Sequence, residues 1–386
     1  TLGALAGRNT GEVYAPLRYL PAHRAHQRLA ARFEDYGWLR PDYYLQNRET
    51  PDQAISREVL AVRKKVGVFD NSPIGKLEVH GPDAAVFLDR IYLNDVTSLQ
   101  AGQCRYVLML NDNGVIIDDG VISRLSGDRF LVNTTSAGVD RVRKSMDEWL
   151  QREWRELKVV VEDVTSCWAN FTLAGPRSLQ VLRTLGAETE PAVTSLPHMA
   201  VSTGSIAGVE ARIARVSFSG ERSYEINVPA RHGEAFLDTL LKAGAEHGIT
   251  PYGVEALMVL RLEKGYLHIG SDTDGSSTPD DVGWGAVARR AGSDFVGRRS
   301  LSRPGNLDRG RKQLVGLEPL DPGQSLRPGS HLLLGRDRKP PARTDGWITS
   351  ACFSPTLNRH IGLAVLSDGR EHGGEVVSVC DEGSHY

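Results

Sequence analysis

Apolar residues recur at helical spacing in several stretches, which predicts helices that bury one face. The clearest stretch follows Thr50-Pro51, a helix-capping Thr and a Pro suited to the first turn, and it ends at Gly67. Two more helices are predicted at residues 139–150 and 253–264, and a short one is expected around 22–32. The rest of the first 50 residues is rich in Arg, Tyr and Pro and is expected to be irregular.

A strand–Gly-Pro–helix pattern occurs twice. Residues 76–80 alternate like a strand, and Gly81-Pro82 then leads into an apolar helix. Residues 169–173 lead in the same way to Gly175-Pro176 and another apolar helix. The repetition suggests an internal duplication of an α+β unit. Because Gly-Pro is also a common strand-to-helix corner, a chance match remains an alternative.

Two hairpins are predicted in the middle of the chain. Residues 111–114 (Asn-Asp-Asn-Gly) favour a tight turn between strands at 106–110 and 115–117. A second hairpin turns at Ser219-Gly220 and returns along residues 224–228. Both places therefore bring strands together that carry polar side chains.

From about Asp274 the composition changes to Gly, Pro and short β-like runs. This pattern predicts a separate small β-barrel domain, with strands at 313–317, 346–348 and 361–366. The chain has 386 residues, more than the roughly 250–300 that a single hydrophobic core serves, so two or three subdomains are expected. The predicted fold class is α+β with a C-terminal β-barrel.

The composition is that of an ordinary soluble protein, with 40% hydrophobic and 24% charged residues. The formal net charge is −2, so no global field favours nucleic acid or an anionic membrane. No apolar run approaches the roughly 18 residues of a membrane span and no signal peptide is recognisable, so a cytoplasmic location is expected. Because the chain starts at Thr1 rather than Met, a processed product or a fragment is indicated.

Metal and nucleotide sites are not expected. The four Cys residues are far apart and are expected to be reduced core thiols. His23 and His26 lie three apart but lack a second ligand pair. Residues 272–275 resemble the start of a calcium loop, but the closing Glu is missing and Pro279 interrupts the pattern. The sequence has no phosphate loop and no dinucleotide fingerprint, so it predicts no flavin site of its own.

Acidic residues on predicted strands are the best candidates for chemistry. Asp118 and Asp119 directly follow an apolar strand, so one carboxylate is expected to face outward and the other inward. Glu225 lies on the return strand of the second hairpin and could accept two parallel hydrogen bonds from an amino-pyrimidine edge. Each also has a structural explanation: backbone amides for the Asp pair, an Arg partner for Glu225. Aromatic residues that could wall a ring, or simply fill the core, are Tyr106, Phe171 and Phe218.

Several segments, in order along the chain, resemble the aminomethyltransferase family, which includes the T-protein of the glycine cleavage system. They are residues 58–63 (EVLAVR) with 67–70 (GVFD), 111–119 (NDNGVIIDD), 260–266 (LRLEKGY), 278–279 (TP), 295–297 (FVG) and 353–357 (FSPTL). The similarity spans about residues 50–370 and implies a three-lobed fold around a folate channel. The implied lobes are 1–75 with 162–273, 76–161 carrying Asp119, and 274–386 as the C-terminal β-barrel.

The resemblance also implies a site. By position, Asp119 matches the family's catalytic Asp, and tetrahydrofolate is the implied cofactor. The implied folate-binding residues are Tyr106, Asn133, Phe218, Tyr224 and Glu225. Glu225 would fix the pterin edge, while Asp119 would stabilise a cationic carbon unit and steer the loss of a proton.

Finer features resemble one branch of the family, the C-terminal part of sarcosine oxidase α subunits. They are residues 252–257 (YGVEAL), 270–275 (GSDTDG), 278–281 (TPDD) and, near the start, 11–12 (GE) with 16–18 (PLR). T-proteins carry an Arg, associated with the aminomethyl-lipoyl substrate, where this chain has Leu257, which argues against a glycine cleavage partner.

The branch implies that the chain accepts the carbon unit from sarcosine oxidation and yields 5,10-methylenetetrahydrofolate. Flavin and NAD would then be held by an absent N-terminal portion or by partner subunits. Two alternatives stay open: a free-standing folate-dependent aminomethyltransferase or demethylase, and a non-catalytic folate-binding module.

Overall fold

The computed structural model describes residues 18–46, 48–290, 294–335, 343–381 and 384–385. Its α-helices are α1 His23–Arg28, α2 Pro51–Lys64, α3 Ala84–Ile91, α4 Val139–Arg152, α5 Ser178–Thr184, α6 Gly233–Gly244, α7 Val254–Leu262, α8 Gly285–Arg290 and α9 Pro304–Leu307. Its strands are β1 Ala31–Asp35, β2 Leu39–Tyr44, β3 Val66–Asp70, β4 Gly75–His80, β5 Cys104–Leu110, β6 Ile116–Ser126, β7 Arg129–Thr134, β8 Val160–Asp163, β9 Trp168–Ala174, β10 Glu188–Glu190, β11 Val201–Ile206, β12 Val209–Ala214, β13 Ser223–Pro229, β14 Ile249–Pro251, β15 Lys312–Leu317, β16 His331–Leu334, β17 Gly346–Ser354, β18 Arg359–Ser367, β19 Val377–Asp381 and β20 Ser384–His385.

The large sheet has, within the described residues, seven strands in the order β10-β11-β12-β13-β9-β3-β14. Helices α1, α5 and α6 cover one of its faces and share an apolar core with Phe171 and Ile226. Because neighbouring residues of a strand point to opposite faces, Thr172 and Glu225 lie on the other face. These two residues are direct cross-strand neighbours.

The small sheet has, in the same described part of the chain, five strands in the order β5-β6-β7-β4-β8. Helices α3 and α4 cover one face, where Leu77 and Val132 contribute to the core. Strand pairing matches Lys76 with Asn133 and Leu108 with Asp119. Residues that alternate with the core positions therefore gather on the uncovered face; they are Lys76, Glu78, Tyr106, Asp119 and Asn133.

The uncovered faces of the two sheets meet each other. Arg212 of β12 donates to the Glu78 carboxylate of β4 at 2.7 Å, and its guanidinium lies 4.1 Å from the ring centroid of Trp168. At the edge of this contact Cys104 packs with Ala214 in an apolar cluster. The interface therefore encloses polar side chains from both sheets.

The C-terminal sheet has the strand order β15-β18-β17-β16-β19-β20 and is antiparallel throughout. Its strands begin at Lys312, well after the predicted boundary at residue 274. Residues 274–311 pack instead on the small sheet, where Ala288 and Phe295 join Leu108 in one apolar cluster. This segment thus covers part of the face that carries Tyr106 and Asp119.

Residues from three of the sequence segments quoted above meet in one buried network, which connects α2, the segment after α7 and strand β17. Arg63 of α2 lies 2.7 Å from the Glu263 carboxylate after α7, and the Ser354 hydroxyl of β17 donates to Glu263 at 2.6 Å. Arg63 also donates to the carbonyl oxygen of Ser219 at 2.6 Å, which fixes the second hairpin. Motifs far apart in sequence therefore form one contact set.

Removing the cation of this network should destabilise the whole chain. We expect Arg63→Met to lower the free energy of unfolding by about 2 kcal/mol, because it leaves the buried Glu263 carboxylate short of donors. Arg143→Met is the matched control, since its ion pair with Asp147 is half exposed and should change stability by less than about 0.5 kcal/mol. Chemical denaturation measures both, and equal effects would contradict a structural role for the network.

The repeated strand–Gly-Pro–helix pattern has the same corner in both sheets. Gly81 follows β4 with φ +134°, and Gly175 follows β9 with φ +131°. A Cβ at either residue would collide with a carbonyl oxygen, that of Lys158 at 2.1 Å or of Lys65 at 2.6 Å. Both corners therefore require Gly for the same reason.

The predicted helix at residues 22–32 is too long. The helix ends at Arg28, and Ala30 takes a φ of +57°, which turns the chain into strand β1. Strands β1 and β2 pair as a hairpin, so the described part of the first 50 residues has regular structure where an irregular segment was predicted. The motif residues 11–12 and 16–17 lie outside the described residues.

The structure also bears on the predicted burial of the Cys residues and on membrane-spanning helices. Cys104 is buried, but Cys167 is exposed, so the prediction of four core thiols is wrong at that position. None of the helices among the described residues is long and apolar enough to cross a membrane.

Candidate functional site

Asp119 lies on β6, on the face of the small sheet that meets the large sheet. The hydroxyl of Tyr106, on the neighbouring strand β5, donates to its Oδ2 at 2.7 Å. The ring of Tyr106 in turn packs against Trp284, with centroids 5.1 Å apart. The carboxylate is therefore held in a fixed place by its neighbours.

Asp118 points to the other face of the same strand. Its carboxylate accepts hydrogen bonds from the Thr135 hydroxyl at 2.5 Å and the Thr135 backbone N–H at 3.3 Å. It is 1% exposed, so the prediction that one Asp of the pair faces outward is wrong. The physical reason is that the loop before α4 covers this face. Burial raises the pKa of Asp118 to about 7 and that of Asp119 to about 6.

Glu225 lies on β13 and belongs to the large sheet. Burial raises the pKa of its carboxyl group, while a hydrogen bond from Asn170 and the charge of Lys76 act in the opposite direction. Lys76 comes from β4 of the facing sheet, is fully buried, and donates to the carbonyl oxygens of Ser72 at 2.9 Å and Ile74 at 3.0 Å. The buried cation that faces Glu225 is therefore a Lys, where the sequence had suggested an Arg.

Tyr224 does not share this interface. Its side chain is 1% exposed and lies in the helix-covered core of the large sheet with Ile226 and Val228. Strand alternation therefore separates it from Glu225, its neighbour in sequence. The grouping of Tyr224 with Glu225 in one ligand site is corrected on this ground, and we leave Tyr224 out of the proposed site.

Asn133 and Phe218 lie at different places around the interface. Asn133 is buried beside Lys76 on the small sheet, and its amide donates to the carbonyl oxygen of Gly75 at 3.4 Å. Phe218, in the second hairpin, stacks on Tyr266 with ring centroids 6.2 Å apart. Their roles in ligand binding stay predictions. Phe171 belongs to the core, on the same side as Tyr224.

Lys76 and Asn170 were missed by reasoning from sequence. The alternation of residues 76–80 places Lys76 on the polar side of its strand, which normally faces water. Only the packing of a second sheet on that side makes it a buried cation. The sequence around Asn170 likewise gives no sign of a polar partner, which is Asn227 on the neighbouring strand; the Asn170 amide donates to its side-chain oxygen at 3.1 Å.

The loop that resembles a calcium site is used for structure. Asp272 forms a buried ion pair with Arg261 at 2.5 Å and accepts hydrogen bonds from Ser350 at 2.6 Å and Thr349 at 2.7 Å. Among the described residues, no group of three or more His, Cys, Asp or Glu side chains could hold a metal ion.

Two surface clefts, of about 200 and 400 Å³, flank Arg311. One is lined by Asp281 and Trp347, the other by Asn113 and Arg303. Neither contains Asp119 or Glu225. The chemistry of these two partly buried carboxylates, rather than the size of a surface cleft, therefore defines the candidate site.

The hydrogen bond from Tyr106 should set the pH at which Asp119 becomes a carboxylate. The donor stabilises the charged form, so Tyr106→Phe should raise the pKa of Asp119 above its value of about 6. If the carboxylate is the active form, the activity of this site falls as pH drops through this pKa, and the acid limb of the variant's pH–rate profile should lie about one pH unit higher. Rates between pH 5 and 9 measure the shift. An unshifted profile with a uniformly lower rate would contradict this role of Tyr106.

Comparison with known proteins agrees with the fold and the motif order. The family model described as the GCVT N-terminal domain matches residues 22–291, and the glycine cleavage T-protein C-terminal barrel domain matches residues 312–386. The chain belongs to the glycine cleavage T-protein family. The aminomethyltransferase T of the glycine cleavage system from Bartonella henselae has the same fold, with a TM-score of 0.83 at 24% identity, covering 96% of this chain and 95% of that one.

Relatives within the family fall into two groups. The chain is 43% identical to the sarcosine oxidase subunit alpha of Corynebacterium sp. (strain U-96), over 99% of this chain and 40% of that protein. The Rhizobium meliloti (strain 1021) subunit alpha is 39% identical, over 98% of this chain and 39% of that protein. The chain thus spans about two fifths of the length of these subunits. It is 31% identical to the aminomethyltransferase of Thermotoga maritima, over 93% of this chain and 92% of that protein.

Proposed function

We propose that this chain binds tetrahydrofolate between the large and small sheets and transfers a one-carbon unit to it. The observation that carries the proposal is the pair of partly buried carboxylates on facing sheets, Asp119 and Glu225, each with a pKa that desolvation raises. Membership of the T-protein family supports it, because relatives carry the names aminomethyltransferase and sarcosine oxidase subunit alpha.

The residues on the large-sheet side fit a pterin ring. The pyrimidine edge of a pterin presents adjacent N–H donors, and Glu225 offers two carboxylate oxygens to accept them. The nearby positive charge of Lys76 favours the ionised form of Glu225, which burial alone would disfavour. Glu225 would therefore orient the ring, with Asn133 and Phe218 as further proposed contacts.

The residues on the small-sheet side fit the transfer itself. Tetrahydrofolate, when bound, supplies two nitrogens, N5 and N10, that take up a one-carbon unit. Asp119 would stabilise the positive charge of the incoming carbon unit and accept the proton released during transfer. A pKa of about 6 lets this carboxylate change its protonation state near neutral pH. Tyr106 would hold the carboxylate in position.

For the source of the carbon unit we propose sarcosine oxidation, with this chain as part of a sarcosine oxidase α subunit. The 43% identity to a sarcosine oxidase subunit alpha, against 31% to an aminomethyltransferase, favours this branch. The flavin and NAD would be held elsewhere in the α subunit or by partner subunits. Oxidation of sarcosine would give the N-methylene imine of glycine, and enclosure of this imine would prevent its hydrolysis to formaldehyde. Transfer of the methylene carbon to N5 and N10 would release glycine and give 5,10-methylenetetrahydrofolate.

The proposal is tested by following the methyl carbon of sarcosine. We would co-express the chain with the flavin-bearing parts of a sarcosine oxidase and supply ¹³C-methyl sarcosine with tetrahydrofolate. NMR should show the label in 5,10-methylenetetrahydrofolate with little free formaldehyde. Asp119→Asn should move the label to formaldehyde without slowing flavin reduction. Equal partition of the label in both proteins would overturn the proposal.

A free-standing aminomethyltransferase is the second candidate, because the chain spans 92% of the length of the Thermotoga maritima enzyme. An aminomethylated lipoyl carrier distinguishes the two. If the isolated chain releases ammonia from that carrier in the presence of tetrahydrofolate, this candidate replaces the sarcosine oxidase assignment. If no ammonia is released, the first proposal stands.

A further inference from the structure

Two buried polar atoms on the face of the large sheet that carries Glu225 have no hydrogen-bond partner among the described residues. They are Oδ1 of Asn170 and the hydroxyl oxygen of Tyr252. Both residues are enclosed, Asn170 fully and Tyr252 to within 1%. Buried polar groups in folded proteins nearly always have partners, so an unpaired group calls for an explanation. Two such groups on the face that carries one carboxylate point to a shared ligand.

The register of the large sheet places Asn170 and Gly67, which the Tyr252 ring covers, on opposite sides of the row that contains Glu225. Phe69, Thr172 and Glu225 form one cross-strand row. Asn170 lies two residues along β9 in one direction from this row. Gly67 lies two residues along β3 in the opposite direction, since it pairs with Ala174 rather than Thr172. Asn170 and Gly67 therefore each lie about 6.8 Å from this row along the strand direction, on opposite sides of it.

Tyr252 reaches this face by lying flat on β3. Its ring stacks on Phe69 with centroids 5.3 Å apart, and its backbone N–H donates to the carbonyl oxygen of Val68 at 3.0 Å. The ring also covers Gly67, where a Cβ would lie only 2.7 Å away, so no larger residue fits beneath it. The position of the ring is therefore built into the strand.

The two unpaired atoms differ in hydrogen-bonding character. Asn170 uses its amide N–H to bind Asn227, which leaves Oδ1 as an acceptor. Burial and the Glu225 carboxylate raise the pKa of Tyr252, so its hydroxyl stays neutral and can donate. Together with Glu225 they provide one acceptor, one double acceptor and one donor on this face of the sheet.

We propose that Asn170 and Tyr252 flank Glu225 and determine specificity for the 2-amino-4-oxo edge of a reduced pterin. Glu225 accepts from the 2-amino group and N3–H, Asn170 accepts the second hydrogen of the 2-amino group, and Tyr252 donates to the 4-oxo oxygen. This proposal rests on the proposed folate site and adds the residues that recognise the pterin ring by hydrogen bonds.

The test of Tyr252 compares ligand affinity with the stability of the free chain. Tyr252→Phe removes only the unpaired hydroxyl, so the melting temperature of the free chain should stay the same or rise. Affinity for tetrahydrofolate, measured by calorimetry, should fall about tenfold, and affinity for tetrahydropterin, which has the ring but no tail, by the same factor. Ser330→Ala is the matched control, because it removes another unpaired buried hydroxyl in the C-terminal sheet and should leave both affinities unchanged.

The test of Asn170 uses a ratio within each protein, so that general damage to the fold cancels. Wild type should prefer the 2-amino ligand over its 2-desamino analogue, and Asn170→Leu should reduce this preference about fivefold. If wild type binds tetrahydrofolate and both variants bind and discriminate as it does, the inference is overturned while the folate site stands. If wild type binds neither tetrahydrofolate nor tetrahydropterin, the folate site itself is refuted and the inference falls with it. Equal losses of stability and affinity in Tyr252→Phe would also overturn it, since they indicate a structural role.

Discussion

Asp119→Asn should lower the rate of one-carbon transfer by about 10³-fold while tetrahydrofolate still binds. The amide keeps the size of the side chain and can still accept the hydrogen bond from Tyr106. It cannot take up a proton, and it does not carry the negative charge that would stabilise a cationic carbon unit. Single-turnover formation of labelled methylenetetrahydrofolate measures the rate, and calorimetry measures binding.

Asp118→Asn is the control for this variant, because the two carboxylates are adjacent in sequence but lie on opposite faces of β6. Asp118 contacts Thr135 behind the sheet and should influence stability rather than transfer. We expect its transfer rate to stay within about tenfold of wild type. A loss confined to Asp118→Asn, or equal in both variants, would show that the catalytic carboxylate has been wrongly assigned.

Glu225→Gln should weaken tetrahydrofolate binding by at least about 10²-fold. A carboxylate accepts two hydrogen bonds, whereas an amide offers one acceptor and places an N–H donor against a donor of the pterin. The variant also leaves the buried ammonium of Lys76 without the carboxylate that faces it. Affinity should therefore fall much more than the rate measured at saturating folate.

Glu78→Gln provides the control for Glu225→Gln. Glu78 lies at the same interface of the two sheets, but its carboxylate is used by Arg212 and Arg129 at 2.7 and 2.6 Å. Its loss should lower stability and leave folate affinity within a few-fold of wild type. If Glu78→Gln weakened binding as much as Glu225→Gln, the effect would reflect disruption of the interface and the pterin contact would lose its support.

Local signals in the sequence predicted much of the fold. Thr50 forms the expected cap, with its side chain accepting from the Gln53 N–H and Gln53 reaching back to Thr50. The turn at Asn111 is also as predicted, because its side chain accepts from the backbone N–H groups of Asn113 and Val115. In both cases a few neighbouring residues contain all the interactions, so the sequence pattern is sufficient.

The exposure of side chains was harder to predict, because it depends on what packs on each strand face. One Asp of the pair at 118–119 was expected to face water, yet Asp118 is buried under the loop before α4 and Asp119 is partly buried beside Tyr106. Alternation separates Tyr224 from Glu225 and could have been used at the start. The burial of Lys76 could not be predicted from its own strand, since it results from packing against the large sheet, whose strands β9 and β13 lie about 90 and 150 residues further along the chain.

The motif residues show the same division between local and distant effects. Arg63, Glu263 and Ser354 were recognised as parts of separate motifs, and the structure brings them into one ion-paired network. The order of the motifs along the sequence pointed to the family but did not explain what each motif residue contacts. The physical reason is that these residues join α2, the segment after α7 and the C-terminal sheet.

The most direct measurement is a calorimetric titration of the purified chain with tetrahydrofolate, under anaerobic conditions and without any other subunit. We predict saturable binding with one site per chain, and its loss in Glu225→Gln. Binding that persists unchanged in Glu225→Gln would contradict the placement of the pterin against the large sheet. The absence of binding in the wild-type chain would contradict a folate site formed by these two sheets alone.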